Sequence, residues 1–352
     1  MARRLLSNVQ ILRFAAALAV LLSHAGDLFL PRESFFWMIP WTAGVDIFFV
    51  ISGFVMVYLT DGQFGRRGVA RAFIVRRVLR IVPPYWLFTT LMVATVLLFG
   101  EHVRNSEVTP AVLATSYAFF PWPRADGAIN PLLSQGWTLN YEAFFYLAFA
   151  AALPFRRGLI LLSIGFVALS LVHFWLSPDW IAPHFWSQPI ILEFIAGIAL
   201  GKLYLRGVRL SPAAAAMLAV AALAMLLGMS NIDQAMIRPI SFGIPALLLC
   251  ASLALMREPD RPKAWRRTLI AGGDSSYTLY LSHTFTVHAV LLAWGWAGWN
   301  APWLGMAVAV IAAVAAAHIL YRLVERPAVD WLQRRFAVPL PGPPRDARHS
   351  LR

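Results

Sequence analysis

Apolar runs long enough to cross a lipid bilayer recur along the whole chain, separated by short segments that hold most of its charge. A spanning α-helix needs about 20 predominantly apolar residues, since the bilayer core offers no water to an open backbone. We therefore predict an all-α, polytopic membrane protein, with a transmembrane domain over 1–336 and a flexible cytoplasmic tail over 337–352. The ten predicted spans are 8–26, 41–60, 81–99, 137–154, 158–176, 187–205, 212–230, 238–256, 275–296 and 302–323.

The distribution of basic residues predicts how these spans are oriented. The net charge of +13 alone would suit nucleic-acid binding, but that needs a basic soluble surface, whereas these residues lie between apolar runs. If the N-terminus is cytoplasmic, all but four of the 30 lysines and arginines fall on the inner side. By the positive-inside rule we expect an inner-membrane protein with both termini cytoplasmic, and membrane lipid rather than nucleic acid as a partner.

The first apolar run places two ionisable residues on one face of a helix. Arg13 and His24 are eleven residues apart, which separates them by about 16 Å along the axis and by roughly 20° around it. A charged group facing lipid costs roughly 2.5 to 3.5 kcal/mol, so we expect this face to line a cavity. His24 is a candidate general base, with a purely structural histidine as the alternative.

The N-terminal segment resembles a signal peptide, but Arg13 interrupts its apolar stretch, and we expect the segment to be retained.

Two carboxylates are predicted to act near His24. Asp46 opens the second span at nearly the depth of His24 and could orient its imidazole, or could instead cap its own helix. Glu142 and Tyr146 are four residues apart on an otherwise apolar helix. We place Glu142 about one turn below the outer interface, where it would face the cavity with Trp137 and Tyr146 as substrate contacts, or would instead only pair its helix with a neighbouring helix.

Two further groups of polar residues are candidates for binding. Tyr280 and His283 share a helical face near mid-membrane, where they could contact substrate or hydrogen-bond to a neighbouring helix. The basic group Arg76, Arg77 and Arg80 could hold phosphate groups of a cytoplasmic cofactor, since guanidinium suits phosphate oxygens, or could only set topology and contact lipid headgroups. The single cysteine and the absence of any metal-ligand spacing predict no metal site.

Six segments, in the same order and over essentially the whole chain, resemble the acyltransferase family 3 membrane proteins. These segments are QILRFAAALAVLLSHAG, GVDIFFVISGF, RRVLRIVPPYW, WTLNYEAFFY, SYTLYLSH and YRLVERP. The opening Asn8-Val9-Gln10-x-Leu12-Arg13 is most similar to the exopolysaccharide O-acetyltransferase branch. This resemblance implies transfer of an acyl group, usually acetyl from acetyl-CoA, to a hydroxyl of an extracytoplasmic glycan or its lipid-linked precursor.

The resemblance also implies roles for individual residues. His24 would be the catalytic histidine, and Arg13, Arg77 and Arg80 would match the functional arginines of the family. In the resulting hypothesis the arginines hold the phosphates of acyl-CoA, and His24, poised by Asp46, takes the proton of the acceptor hydroxyl. Some members carry a fused soluble esterase-like domain, so a separate periplasmic or glycan-assembly partner could complete the transfer. The alternative is a transporter or flippase of a glycan intermediate, whose translocation path the same polar faces would line.

Overall fold

The computed structural model describes residues 6–100, 108–228, 238–259 and 261–338, and every helix or strand assigned within these ranges is helical. The α-helices are α1 Ser7–Phe29, α2 Gly44–Thr60, α3 Val69–Phe99, α4 Pro110–Tyr117, α5 Trp137–Ala152, α6 Gly158–Val172, α7 Ile181–Ser187, α8 Leu192–Leu205, α9 Pro212–Gly228, α10 Ile244–Ala254, α11 Ala264–Asp274, α12 Ser276–Trp296, α13 Pro302–Leu320 and α14 Arg326–Phe336. The predicted all-α class is confirmed. Most of the predicted tail, residues 339–352, lies outside the described residues.

Five helices in the described ranges are long and apolar enough to cross a membrane, or six if one bent pair forms a single span. The five are Ser7–Phe29, Trp41–Thr60, Val69–Phe99, Gly158–Trp175 and Pro302–Phe336. Several other predicted spans are helical but fall short of this standard. For example, α5 has 16 residues, and α12 has 21 residues but carries many polar side chains. The structure thus shows a helical protein with several helices long and apolar enough to cross a membrane, and the predicted number of ten is not reached by length and composition alone.

The basic segment before the third predicted span is itself helical. The predicted span begins at residue 81, just before Pro83 and Pro84, but α3 begins at Val69 and runs for 31 residues with both prolines inside it. The prediction was wrong because proline interrupts a helix less strongly where neighbouring helices satisfy the freed carbonyl groups. Arg76, Arg77 and Arg80 therefore lie within the first half of a long helix.

The chain divides into two compact units, the first comprising residues 1–56 and 189–325 and the second comprising 57–188 and 326–352. The core of the first unit forms where α1, α12 and α13 pack together. Leu21 on α1 and Leu279 on α12 are fully buried there, against a row of alanines on α13. These alanines recur every fourth residue at Ala309, Ala313 and Ala317, and their small side chains allow the helices to approach closely.

Glycines bring α2 and α8 of the first unit into backbone contact. A Cβ on Gly53 would lie 2.0 Å from the carbonyl oxygen of Phe194, and a Cβ on Gly197 would lie 2.0 Å from that of Val50. No real Cβ atom tolerates such a distance, so any larger residue at these positions must push the two helices apart.

We expect Gly53→Ala to destabilise the protein by about 1 to 3 kcal/mol, because the new methyl group overlaps the α8 backbone. The measurement is the thermal midpoint in detergent, followed by the fraction of protein that remains monodisperse after heating. Gly165→Ala on α6 is the matched control, since a Cβ there meets nothing within 4 Å. Equal midpoints for the two variants would show that the α2–α8 contact is looser than described.

In the second unit, α3 and α5 pack through aromatic rings. Phe73 stacks on Phe149 with ring centroids 5.2 Å apart, and the Gly65 amide donates to the Leu153 carbonyl at 2.8 Å. Farther along α3, the Tyr85 hydroxyl donates to the carbonyl of Ser116 on α4 at 3.0 Å. The Phe73–Phe149 contact fixes the register of α3 against α5 and so determines which polar residues of the two helices meet.

Candidate active site

Two histidines from distant parts of the chain meet inside the first unit. Nδ1 of His24 on α1 lies 2.7 Å from Nε2 of His283 on α12, and the rings are nearly parallel, 7° apart. Nδ1 of His283 lies 3.0 Å from the Leu279 carbonyl oxygen, one turn earlier on the same helix. His283 is buried and His24 is half-buried. The two predicted site histidines thus form one hydrogen-bonded pair.

Asp46 does not pair with His24, and that prediction is corrected. Both carboxylate oxygens of Asp46 bind the Arg238 guanidinium, at 3.0 Å from Nε and 2.8 Å from a terminal nitrogen. The Asp46 side chain is fully buried, whereas that of Arg238 is 23% exposed. A two-point ion pair with arginine is stronger than one hydrogen bond to imidazole, which explains why Asp46 binds Arg238.

Glu193 completes this charged cluster. Its side chain is buried, lies against Gly243 in the π-helical segment Pro239–Gly243, and interacts electrostatically with both Asp46 and Arg238. Arg238 also lies over the Phe242 ring at 5.2 Å. Neither carboxyl oxygen of Glu193 has a hydrogen-bond partner among the described residues, so the hydrogen bonds of Arg238 go to Asp46 and not to Glu193. The Asp46–Arg238 ion pair ties α2 to the π-helical segment, with Glu193 of α8 packed beside it.

Arg13 is held by a short chain of hydrogen bonds that the sequence did not reveal. Its guanidinium donates to the Gln10 side-chain oxygen at 3.1 Å, and the Gln10 amide nitrogen donates to the Asp274 carboxylate. Close packing makes this possible, since a Cβ on Gly273 would lie 2.1 Å from the Gln10 carbonyl oxygen. The spacing of Gln10 three residues before Arg13 was the only local signal, and Asp274 gave none.

The second unit brings Arg77, Glu142 and Tyr146 together. The Arg77 guanidinium lies 5.8 Å from the centres of both the Tyr146 and Phe73 rings, and it interacts electrostatically with Glu142. The Tyr146 hydroxyl donates to the Glu142 carboxylate. Thr138, one turn before Glu142 on the same helix, donates to the Gln135 carbonyl at 3.2 Å.

This cluster brings together residues that we predicted on opposite sides of the membrane. We placed Glu142 near the outer interface and Arg77 at the inner side, but Arg77 lies 5.8 Å from the ring centre of Tyr146, whose hydroxyl donates to Glu142. The register of α3 against α5 is the reason, because the Phe73–Phe149 contact leaves Arg77 beside the middle of α5. Glu142 and Tyr146 thus belong with an arginine predicted to bind the donor.

The remaining predicted site residues, Arg76, Arg80, Trp137 and Tyr280, each make contacts of their own. Nε of Arg76 donates to the Val338 carbonyl at 3.3 Å, and Arg80 acts on Arg77 through like-charge repulsion. Trp137 packs edge-to-face on Tyr141, with centroids 5.9 Å apart. Tyr280 is buried, and its ring centre lies 6.3 Å from that of His283. No group of three or more His, Cys, Asp and Glu residues in the described part of the chain could hold a metal ion.

Comparison with known proteins places this site in a family context. Residues 6–322 match a family model described as an acyltransferase domain. The exopolysaccharide production protein ExoZ of Rhizobium meliloti (strain 1021) is 37% identical over 298 residues, covering 81% of this chain and 88% of ExoZ. Nodulation protein 10 of Rhizobium leguminosarum bv. viciae is 28% identical over 362 residues, covering 92% and 93% of the two chains. No solved structure shows a significant match.

Proposed function

Because this chain belongs to acyltransferase family 3, we propose that it is a membrane-bound O-acyltransferase acting on a polysaccharide or on its lipid-linked precursor. The donor is cytoplasmic acyl-CoA, with acetyl-CoA as the first choice, and the acceptor is an extracytoplasmic hydroxyl. A relative named for exopolysaccharide production supports the glycan acceptor. The observation that carries the proposal is the hydrogen bond between His24 on α1 and His283 on α12. Two paired imidazoles suit proton transfer to and from a substrate.

We propose ten spans in the inner membrane, with both termini cytoplasmic and a glycan-assembly protein as a further partner. The alternation of basic and neutral loops supports this topology. A helix of 16 residues, such as α5, is about 24 Å long, somewhat less than the hydrocarbon core of about 30 Å. Local thinning of the bilayer accommodates such a difference at modest cost.

In the proposed reaction His24 removes the proton of the acceptor hydroxyl as its oxygen attacks the thioester carbonyl. The carbon–sulfur bond then breaks, and His24 returns the proton to the departing thiolate of CoA. General-base catalysis of this kind contributes typically about 10²- to 10⁴-fold to a rate. The proposed chemistry uses side chains alone and no metal.

We propose that Arg13 and the α3 arginines Arg76, Arg77 and Arg80 bind the phosphate groups of acyl-CoA. Arg77 gives the strongest support, because its Nε atom is buried without a hydrogen-bond partner among the described residues. An unsatisfied buried donor costs about 1 to 3 kcal/mol, which a phosphate oxygen would recover. Glu142 and Tyr146 would then hold this guanidinium in place, while Trp137 and Tyr280 are proposed acceptor contacts.

Replacing Arg77 tests donor binding. We expect Arg77→Ala to raise the KM for acyl-CoA about 10- to 100-fold, since a hydrogen bond to a charged group contributes about 1.5 to 3 kcal/mol. The measurement is acceptor-dependent thiol release in membrane vesicles, with acyl-CoA and acyl-pantetheine as alternative donors. Acyl-pantetheine has no nucleotide phosphates, so wild type and variant should use it with similar KM values.

Arg71→Ala is the matched control, because Arg71 lies on the same helix with an exposed side chain. It should leave the KM for acyl-CoA unchanged. An equal rise in KM for both donors in Arg77→Ala would contradict a phosphate contact and would point to a general loss of the α3–α5 structure.

A further inference from the structure

The hydrogen bonds around His283 determine which of its nitrogens carries a proton. Nδ1 of His283 lies 3.0 Å from the carbonyl oxygen of Leu279. A carbonyl oxygen only accepts hydrogen bonds, so Nδ1 must be the donor and must carry the hydrogen. The His283 side chain is only 1% exposed, and burying an imidazolium without a counter-charge is costly, so the ring is neutral. Its Nε2 is therefore an acceptor.

The state of His24 follows from that of His283. Nδ1 of His24 lies 2.7 Å from the accepting Nε2 of His283, so Nδ1 of His24 must donate and must carry the hydrogen. The ring centroids are 5.0 Å apart in nearly parallel planes, as expected when two imidazoles lie end to end rather than face to face. Neutral His24 then has an unprotonated Nε2, on the ring edge that points away from His283.

We propose that His283 is a positioning residue that holds His24 in the Nδ1-protonated tautomer, so that Nε2 of His24 is the nitrogen that accepts the acceptor's proton. This inference rests on the proposed role of His24 as general base, and it replaces the predicted substrate contact of His283. A carboxylate often orients a catalytic histidine, but here both oxygens of Asp46 bind Arg238. The carbonyl of Leu279 and the ring of His283 take over that task.

A second histidine on α12 provides a matched comparison. Nδ1 of His288 lies 2.7 Å from the Thr284 carbonyl oxygen, the same contact to the preceding turn that His283 makes with Leu279. His288 is exposed, whereas His283 is buried against His24. The two histidines therefore share the contact to the helix backbone, whereas the hydrogen bond to His24 is made by His283.

The direct test is a ¹⁵N spectrum of the detergent-solubilised protein with labelled histidine, at a pH where the rings are neutral. We expect a coupling between two nitrogens through the hydrogen bond, from the protonated Nδ1 of His24 to the unprotonated Nε2 of His283. This coupling should be lost in His283→Leu and kept in His288→Gln. The His24 signal is the one that disappears in His24→Gln. If that signal in the wild-type spectrum shows a protonated Nε2, the inference is overturned. This result needs no active enzyme, and the wild-type coupling pattern stands even if a variant fails to fold.

Activity provides the second readout. We expect His283→Leu to lower kcat about 10²-fold or more, with the KM for acyl-CoA nearly unchanged, because the wrong tautomer removes the general base. His283→Gln should retain several-fold more activity than His283→Leu, since the glutamine oxygen accepts from Nδ1 of His24. Equal losses in the two variants would overturn the inference. Full activity of His24→Gln would instead overturn the proposed role of His24 and leave the tautomer result standing.

Discussion

Replacing His24 with alanine is expected to remove one ester-linked acyl group from the surface polysaccharide of the host. His24 is the proposed general base, and its loss should lower transfer about 10²- to 10⁴-fold. The measurement is the base-labile acyl content of polysaccharide from a deletion strain that carries either wild-type protein or His24→Ala. Membrane levels of the two proteins are matched by immunoblot.

His288→Ala is the control in this experiment, because His288 is an exposed histidine with no assigned role. It should restore acylation to the wild-type level. Full restoration by His24→Ala at matched protein levels would show that the chemistry does not need this imidazole. If neither variant restores acylation, α1 and α12 do not tolerate substitution at these positions. The ¹⁵N experiment on the wild-type protein would then determine the tautomers of His24 and His283.

Arg238→Leu is expected to cause the largest loss of stability. The variant leaves the fully buried Asp46 carboxylate without its counter-charge, beside the buried carboxyl group of Glu193. Removing one partner of a buried ion pair typically costs about 3 to 5 kcal/mol. The measurement is the thermal midpoint in detergent, compared with that of the double variant in which Asp46→Leu is added. The double variant should recover most of the loss, since no unpaired charge is left at position 46.

Arg32→Leu is the matched control for this ion pair. Arg32 binds Asp27 at 2.5 Å, but its side chain is 72% exposed, and exposed pairs contribute at most about 1 kcal/mol. The control should therefore change the midpoint only slightly. If Arg238→Leu and Arg32→Leu lower it equally, Asp46 is not held as the structure describes.

Local sequence patterns predicted the helices and the polar residues of the site, but not which side chains contact each other. The helix over 8–26 is confirmed as α1, because an apolar run with few charges fixes a helix by itself. The partner of Asp46 is 192 residues away and that of His24 is 259 residues away. Helical periodicity shows which residues share a face, but it does not show which faces meet. The prediction of Asp46 beside His24 failed on this point.

The third span shows a second limit. Hydropathy detects the apolar part of a helix, whereas backbone hydrogen bonding continues through the arginines from Val69 onward. The sequence therefore placed Arg77 before the span and Glu142 far above it. The packing of Phe73 on Phe149 brings Arg77 to Tyr146, whose hydroxyl donates to Glu142, and helical periodicity does not show this contact.

Acyl transfer by the purified, reconstituted protein would distinguish an acyltransferase from a transporter. The purified protein in liposomes is given acetyl-CoA labelled in its acetyl group and a lipid-linked glycan extracted from the deletion strain. We expect label to enter the glycan as a base-labile ester, with an equal amount of free thiol released, and only when the glycan is present. Movement of the glycan across the membrane without thioester loss would contradict it and would identify a transporter.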